Sequence, residues 1–185
     1  MENIQDLHSI DKLIADFTQN VLGLNDNQVL ISYQPKGQQS PKFGSTTIFV
    51  HTAQEQDDVQ LFKNRESSRS IQTGTIGTEQ TSLRRLSVQF SIYGNNCDTI
   101  ATKLKETFYF ESSRLFLEQN NLALIPSRTQ IRAKIHEDVN GRWWERVELF
   151  IGLYNTITID ESVSPFKSVE INVSEDSGLS VVIGG

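Results

Sequence analysis

RRLSVQFSIYGNNCDTIATKLKETFYF, residues Arg84 to Phe110, carries the sharpest structural signal in the chain. Leu86, Val88, Phe90 and Ile92 alternate with Ser87, Gln89, Ser91 and Tyr93. That period of two marks a strand with one buried face. Gly94 breaks the strand, and Asn95 can cap the next element with Asp98 three residues on. Ile100, Ala101, Leu104 and Phe108 then recur at helical spacing. A core strand therefore turns tightly into a core helix, and nothing in the unit is a catalytic signature.

Downstream, Ser112 or Ser113 can cap a short helix carrying Leu115, Phe116 and Leu117, closed by Asn120 and Asn121. After Pro126 a long hairpin begins. Its first arm alternates Ile131, Ala133, Ile135 and Val139 with polar residues. In its second arm Trp143, Val147, Leu149, Ile151, Leu153, Ile157 and Ile159 share one parity. A two-residue loop at Asn140-Gly141 would mix the two apolar faces. The expected turn is therefore a three-residue loop of Val139, Asn140 and left-handed Gly141, which sets Ile131 opposite Leu149 and Ala133 opposite Val147. The second arm, from Arg142 to about Ile159, would span on the order of 60 Å if extended. It must bend, with Gly152 the candidate position, or project beyond the body. In the tail, Val169, Ile171 and Val173 alternate, residues 175–178 suggest a turn, and Leu179, Val181 and Ile183 resume the pattern. These describe either a hairpin completing the home sheet or an arm laid on a neighbouring subunit.

Upstream, Ile4, Leu7, Ile10, Leu13, Ile14, Phe17 and Val21 fall at steps of three and four, predicting an amphipathic helix to Leu22 that Gly23 ends. Val29, Ile31 and Tyr33 alternate in a short strand, a polar loop runs from Pro35 to Gly44, and Thr46 to Gln54 reads as a strand covered on both sides. Between Lys63 and Ser82 only Ile71 and Ile76 are aliphatic. Such a segment buries too little apolar area to offset its ordering entropy, so residues 55–82 are expected to protrude as a polar hairpin or loop. The expected organisation is one α+β domain over residues 1–161, a mostly antiparallel sheet flanked by an N-terminal and a central helix, with a β-hairpin or arm at 162–185.

Composition narrows the chemistry. The chain has 185 residues, a net charge of -6, 37% hydrophobic residues and a mean hydropathy of -0.36. A pI near 5.1 opposes sequence-independent grip on a nucleic-acid backbone, which needs a basic surface. Cys97 is the only cysteine, so no disulfide framework or thiolate cage exists, and a small buried side chain is its expected role. The amino terminus lacks a signal-peptide layout and no apolar run reaches membrane-span length, so the expectation is a soluble protein made in a cytoplasm. His8, His51 and His136 have no metal-ligand spacing. Thr73 to Thr78 lacks the lysine of a phosphate-binding loop, and Asp57-Asp58 and Glu137-Asp138 lack the companions of a calcium or acid/base site. No catalytic, cofactor or metal residue is nominated.

What remains are contact residues. Lys63, Arg65 and Arg69 with Arg84 and Arg85 place five positive charges around the protruding segment. Without interleaved aromatics, pairing with acids on another protein is the favoured reading, and a nucleic-acid patch is the other. Trp143 and Trp144 must point to opposite faces of one strand, one in the core and one an interface anchor. Trp144 is taken as the interface candidate, with Arg142 and Arg146 beside it.

VLISYQPKGQQSPKFGSTTIFV, VQFSIYGNNCDTIATKL and IRAKIHEDVNGRWWERVELFIGLYNTI, in that order, give the chain a resemblance. Over about Leu7 to Asp160 it resembles the tail terminator, or neck terminator, proteins of long-tailed bacteriophages. The resemblance implies an α+β fold and a homo-hexameric ring that caps the tail tube, stops its polymerisation and offers the head's completion proteins an attachment surface. It implies a place in the virion neck after assembly in the host bacterial cytoplasm. Implied partners are the tail tube protein, a head-completion or connector protein and the tail sheath, with no cofactor and no membrane. Genomic DNA would pass through the ring without specific binding, and a negative lumen would keep it from sticking. The competing readings are another head–tail joining or contractile-injection-system ring protein and, from a different class, a small nucleic-acid-binding module using Arg65, Arg69, Arg84 and Arg85. A hydrolytic enzyme is the weakest, since no nucleophile, base and orienting group can be named together.

Overall fold

The computed structural model describes residues 5–33, 37, 40–41, 44–55, 61–69, 76–139, 141–163, 169–171 and 181–183. For 61–69, 76–78, 139, 161–163, 169–171 and 181–183 it describes the backbone alone. The fold is α+β. In chain order the elements are α1 (Leu7–Leu22), β1 (Val29–Ile31), β2 (Thr47–Gln54), β3 (Leu61–Arg69), β4 (Ile76–Tyr93), α2 (Cys97–Thr107), α3 (Glu111–Gln119), β5 (Leu122–Ile131), β6 (Ile135–Val139), β7 (Arg142–Val163), β8 (Val169–Ile171) and β9 (Val181–Ile183).

Two long strands form the axis of a seven-stranded sheet. β4 and β7 pair antiparallel without a slip from Ile76↔Val163 to Tyr93↔Arg146. On the outer side of β4, β2 pairs with its second half, up to Gln54↔Leu86, and β3 with its first half, from Leu61↔Leu83. On the outer side of β7, β6 lies over Arg142 to Arg146 and β5 over Leu149 to Asn155. β1 adds to β2 in parallel, Val29 opposite Ile48, and the stretch of sequence between them is long enough for the return that a parallel neighbour requires.

All three helices serve one face of the sheet. Ile10, Ile14 and Phe17 of α1, Ala101 and Leu104 of α2, Phe108 just after it, and Leu117 of α3 close over Ile48, Val50, Leu86, Val88, Phe90, Ile92, Val147, Leu149, Ile151 and Leu153. Phe17 stacks on Phe116 at 4.7 Å and tilts against Phe108 at 5.2 Å, and Phe108 reaches Phe90 at 6.0 Å. The alternation in LSVQFSIY thus identifies the buried face of β4 correctly. β2 is closed on both faces, with Ile48, Phe49 and Val50 all buried.

Several local expectations are corrected. Helix α1 begins at Leu7 on Asp6, whose carboxylate accepts from the Ser9 amide at 2.7 Å; Ile4 lies outside the described residues. Asn96, not Asn95, is the N-cap of α2, because the turn after β4 needs left-handed residues and Gly94 (φ 110°) and Asn96 (φ 62°) supply them. Phe110 rather than a serine precedes α3; Ser113 lies inside that helix, buried, its hydroxyl donating to the Thr107 carbonyl at 2.6 Å.

In the closing hairpin Ile131 does face Leu149, as the alternation requires, and Gly141 is left-handed at φ 73°. The loop, however, holds two residues, since Val139 pairs with Arg142. The register is corrected at 132–134 instead, where the chain leaves the ladder between β5 and β6 and Ala133 has no Cα partner. A second shift lies between Ile125 and Gln130, where Pro126 can donate no ladder bond. Gly152, the candidate bend, does not interrupt the pairing of β7 with β4. It sits opposite this irregularity, and a Cβ there would lie 2.7 Å from the Cβ of Arg128.

β3, the first half of β4 and the end of β7 run together beyond the helices as a three-stranded blade. Within the segment expected to protrude, β3 pairs antiparallel with β4, and β7 backs β4 as a third strand. Residues 56–60 and the hairpin's connection at 70–75 lie outside the described residues. β8 and β9 pair with each other, Val169↔Ile183, as a separate two-stranded sheet and do not join the main one. The turn expected at 175–178 also lies outside the described residues.

Candidate subunit interface

The eight nominated contact residues fall into three places. Lys63, Arg65 and Arg69 lie on β3 in the blade. Arg84 and Arg85 sit where blade and body meet, opposite Asn155 and Tyr154. Arg142, Trp144 and Arg146 lie at the far end of β7, by the Asn140-Gly141 turn. From the Tyr93↔Arg146 pair to the Ile76↔Val163 pair the ribbon runs roughly 55 Å at a rise of about 3.3 Å per residue. No single patch collects them.

Arg84 is turned inward. Its Nη2 donates to the Gln5 carbonyl and to Asn155 Oδ1, both at 2.8 Å, and burial pulls its guanidinium below the ordinary value. It pins the approach to α1 onto the sheet. Arg85 Nε stands 4.0 Å from a Glu55 carboxylate oxygen that Arg128 also holds, so two arginines share one acid beside β2. A free basic patch at the root of the blade, as a nucleic-acid module would need, is reduced by both arrangements.

Arg146 anchors a second cluster on the face away from the helices. Its guanidinium lies 2.7 Å from Glu137 and 3.3 Å from Glu148, and donates to the Tyr93 hydroxyl at 3.3 Å. Burial pulls its pKa down, but the Tyr93 hydrogen bond and the charges of Tyr93, Glu137 and Glu148 outweigh that and raise it. Arg132 reaches Glu148 at 3.5 Å and lies over the Phe150 ring at 4.3 Å. Glu148, itself buried, is shared by Arg132 and Arg146. The arrangement clamps β6 and the end of β5 to β7; it orders a surface rather than offering reactive groups.

The tryptophans reverse the expectation. Trp144 is 8% exposed and Trp143 71%. Trp143 shares the parity of Val147 and Leu149 but stands next to the hairpin turn, so the outward-standing indole is on the helix side. Further exposed apolar groups are Ile159 on the blade and Tyr109, Phe110 and Leu115 around the α2–α3 junction. Of these, Tyr109 lines a groove of about 440 Å³ together with Arg114, Leu117, Glu118, Leu124 and Pro126. Sequence reasoning missed the acids Glu55, Glu137 and Glu148: Glu55 is held by Arg85 and Arg128 from strands distant in the chain, whereas Glu137 and Glu148 meet Arg146 across and along the β6–β7 hairpin. Their only local trace is polar parity.

Cys97 is fully buried, and burial pushes its thiol up, away from a reactive thiolate. Among the described residues no three His, Cys, Asp or Glu side chains gather as a metal would require. No helix among them is long and apolar enough to cross a membrane. The chain's organised features are thus surfaces: a long blade, two charged clamps and separated apolar patches.

No curated protein sequence matches the chain. A family model does, over residues 8–177, which includes all of the seven-stranded sheet, α2, α3 and α1 but for Leu7. By that match the chain belongs to the phage neck terminator protein family.

Proposed function

We propose that the protein forms a hexameric ring that caps the phage tail tube, ends tube polymerisation and presents the surface on which the head's completion or connector protein seats. A neck terminator is a structural protein of the head–tail junction in the virion, and the finer reading builds on that role. The observation that carries it is the blade. A strand ribbon that continues past the helices is of no use to the subunit's own core and is suited to contact with neighbours. The tail tube is the partner on one ring face and the head-completion protein on the other, with the tail sheath as an outer neighbour. Assembly takes place in the host bacterial cytoplasm. DNA passes through the lumen without specific contacts, helped by the chain's net charge of -6.

The test is the mass of the purified protein in solution together with negative-stain images, alone and mixed with tail tubes. Six-membered rings seated on tube ends are expected, with tubes held at fixed length. A protein that stays monomeric and leaves tubes growing would overturn the reading. Lumen charge is checked separately on a ring reconstruction, where a lining dominated by Lys and Arg would remove the electrostatic part.

A further inference from the structure

The blade has two outer edges, and the directions of their peptide groups follow from the register. The Thr156 amide donates away from β4, to the Asn121 carbonyl at 2.9 Å. Alternation then turns the main-chain groups of Thr158, Asp160 and Ser162 outward as well. On the other edge, the Arg85 carbonyl accepts from the Glu55 amide at 3.1 Å, so odd-numbered residues of β4 face β3. Thr81 and Glu79 therefore bond to Asn64 and Glu66, and Arg65, Ser67 and Arg69 of β3 turn their peptide groups outward. Among the described residues neither edge has a strand partner: β5 leaves β7 at Asn155, and β3 pairs with β4 alone.

Of the usual edge protections these stretches carry charged residues alone among the described backbone. Neither 64–69 nor 157–163 contains a proline, and neither is broken by a bulge. They are similar in length, six and seven residues, and differ in charge: β3 carries Lys63, Arg65 and Arg69 against Glu66, while the β7 edge carries Glu161. Both belong to one three-stranded unit, and since each is antiparallel to β4 they run in the same direction.

We infer that the β3 edge of one copy pairs with the β7 edge of the next, in parallel, through the outward groups of Arg65, Ser67 and Arg69 and of Thr158 and Ser162. The inference rests on the ring reading above and names the joint that closes it. A contact between two different patches repeats head to tail and closes when the rotation allows, and rotation about a ring axis keeps neighbouring strands codirectional. Parallel pairing is the orientation these edges require. The blades then form one continuous sheet around the ring with no edge left exposed.

The test uses Thr158→Pro and Ser67→Pro, each of which removes an outward amide without touching the ladder to β4. Both variants are expected to keep the wild-type far-UV circular dichroism and to lose rings, by mass and by negative stain. Rings surviving in either folded variant would overturn the inference. Hydrogen exchange on wild-type protein decides independently of variant folding. The amides of Arg65, Ser67, Arg69, Thr158 and Ser162 should exchange at least about tenfold more slowly in assembled than in monomeric protein. Equal rates in both forms would overturn the joint while leaving the ring standing. Wild-type protein that never forms rings, even on tubes, would instead overturn the ring reading itself.

Discussion

Arg84 and Asn155 face each other across β4 and β7 and meet side chain to side chain, the guanidinium donating to the amide oxygen at 2.8 Å while also holding the Gln5 carbonyl. Asn155 is 1% exposed and donates in turn to the Asn121 carbonyl at 3.2 Å. One buried polar joint thus ties the start of α1, the root of the blade and the α3–β5 turn. Arg84→Ala should lower unfolding free energy by about 1.5–3 kcal/mol, the usual range for hydrogen bonds to a charged group. Urea denaturation measures it, and an unchanged midpoint would deny the joint its role.

The two tryptophans make opposite predictions. Trp144→Ala should cost about 3–5 kcal/mol of stability as a large-to-small change at a buried site. Trp143→Ala, at an exposed site, should stay within about 0.5 kcal/mol. Acrylamide should quench Trp143 far more readily than Trp144, read in the single-tryptophan variants Trp144→Phe and Trp143→Phe. The reverse order would mean that the faces of β7 are assigned the wrong way round.

Gly94 and Gly141 both have positive φ, yet they should differ. At Gly94 an added Cβ meets the Ser45 carbonyl oxygen at 2.6 Å, whereas at Gly141 it meets nothing within 4 Å. Gly141→Ala should cost about 1–2 kcal/mol, from backbone conformation alone. Gly94→Ala adds a clash with main chain and should reach about 2–5 kcal/mol. Equal losses in thermal melts would show that the 44–46 segment gives way freely.

Asp11 of α1 is buried against β2. Burial pushes its carboxyl above the ordinary 3.8, against the pull of the Thr52 hydroxyl and amide and of His51 and His8. A carboxyl raised in the folded state holds its proton more tightly there than in the unfolded chain. Its burden on stability is therefore full at neutral pH and fades as pH falls through the raised value toward 3.8. Asp11→Asn should raise the melting temperature at pH 7 and raise it less at pH 4. A gain that grows toward acid would contradict the assignment.

Alternation was enough to read the body of this fold. Leu86 to Ile92 and Val147 to Leu153 each declare a buried face by period two, and both lie on the core side. Local chemistry also announced Gly23 as a helix end and Ile131 as the partner of Leu149. What stayed hidden depends on neighbours distant in sequence. The polar run after Lys63 looks unable to order itself, because it has so few aliphatic residues to bury. Its backbone is ordered by ladder bonds from β4, which β7 in turn supports, and no window of sequence displays that partner. The hairpin loop was misjudged for a related reason. The extra residue that reconciles the faces can sit at the turn or anywhere along an arm, and it sits at 132–134. The contact residues were the least legible. Arg84 looks like a surface cation until Gln5 and Asn155 are seen around it, and Trp143 and Trp144 can be told apart only by where the helix layer ends.

The unbroken pairing of β4 with β7 has a mechanical meaning. A slip of one position anywhere between Ile76↔Val163 and Tyr93↔Arg146 would turn Leu86, Val88, Phe90 and Ile92 out of the core, so the ribbon cannot yield lengthwise by small steps. Blade and body therefore share one register, and a pull along the ribbon at its tip is passed into the strands beneath α1 and α2 instead of being lost to slippage.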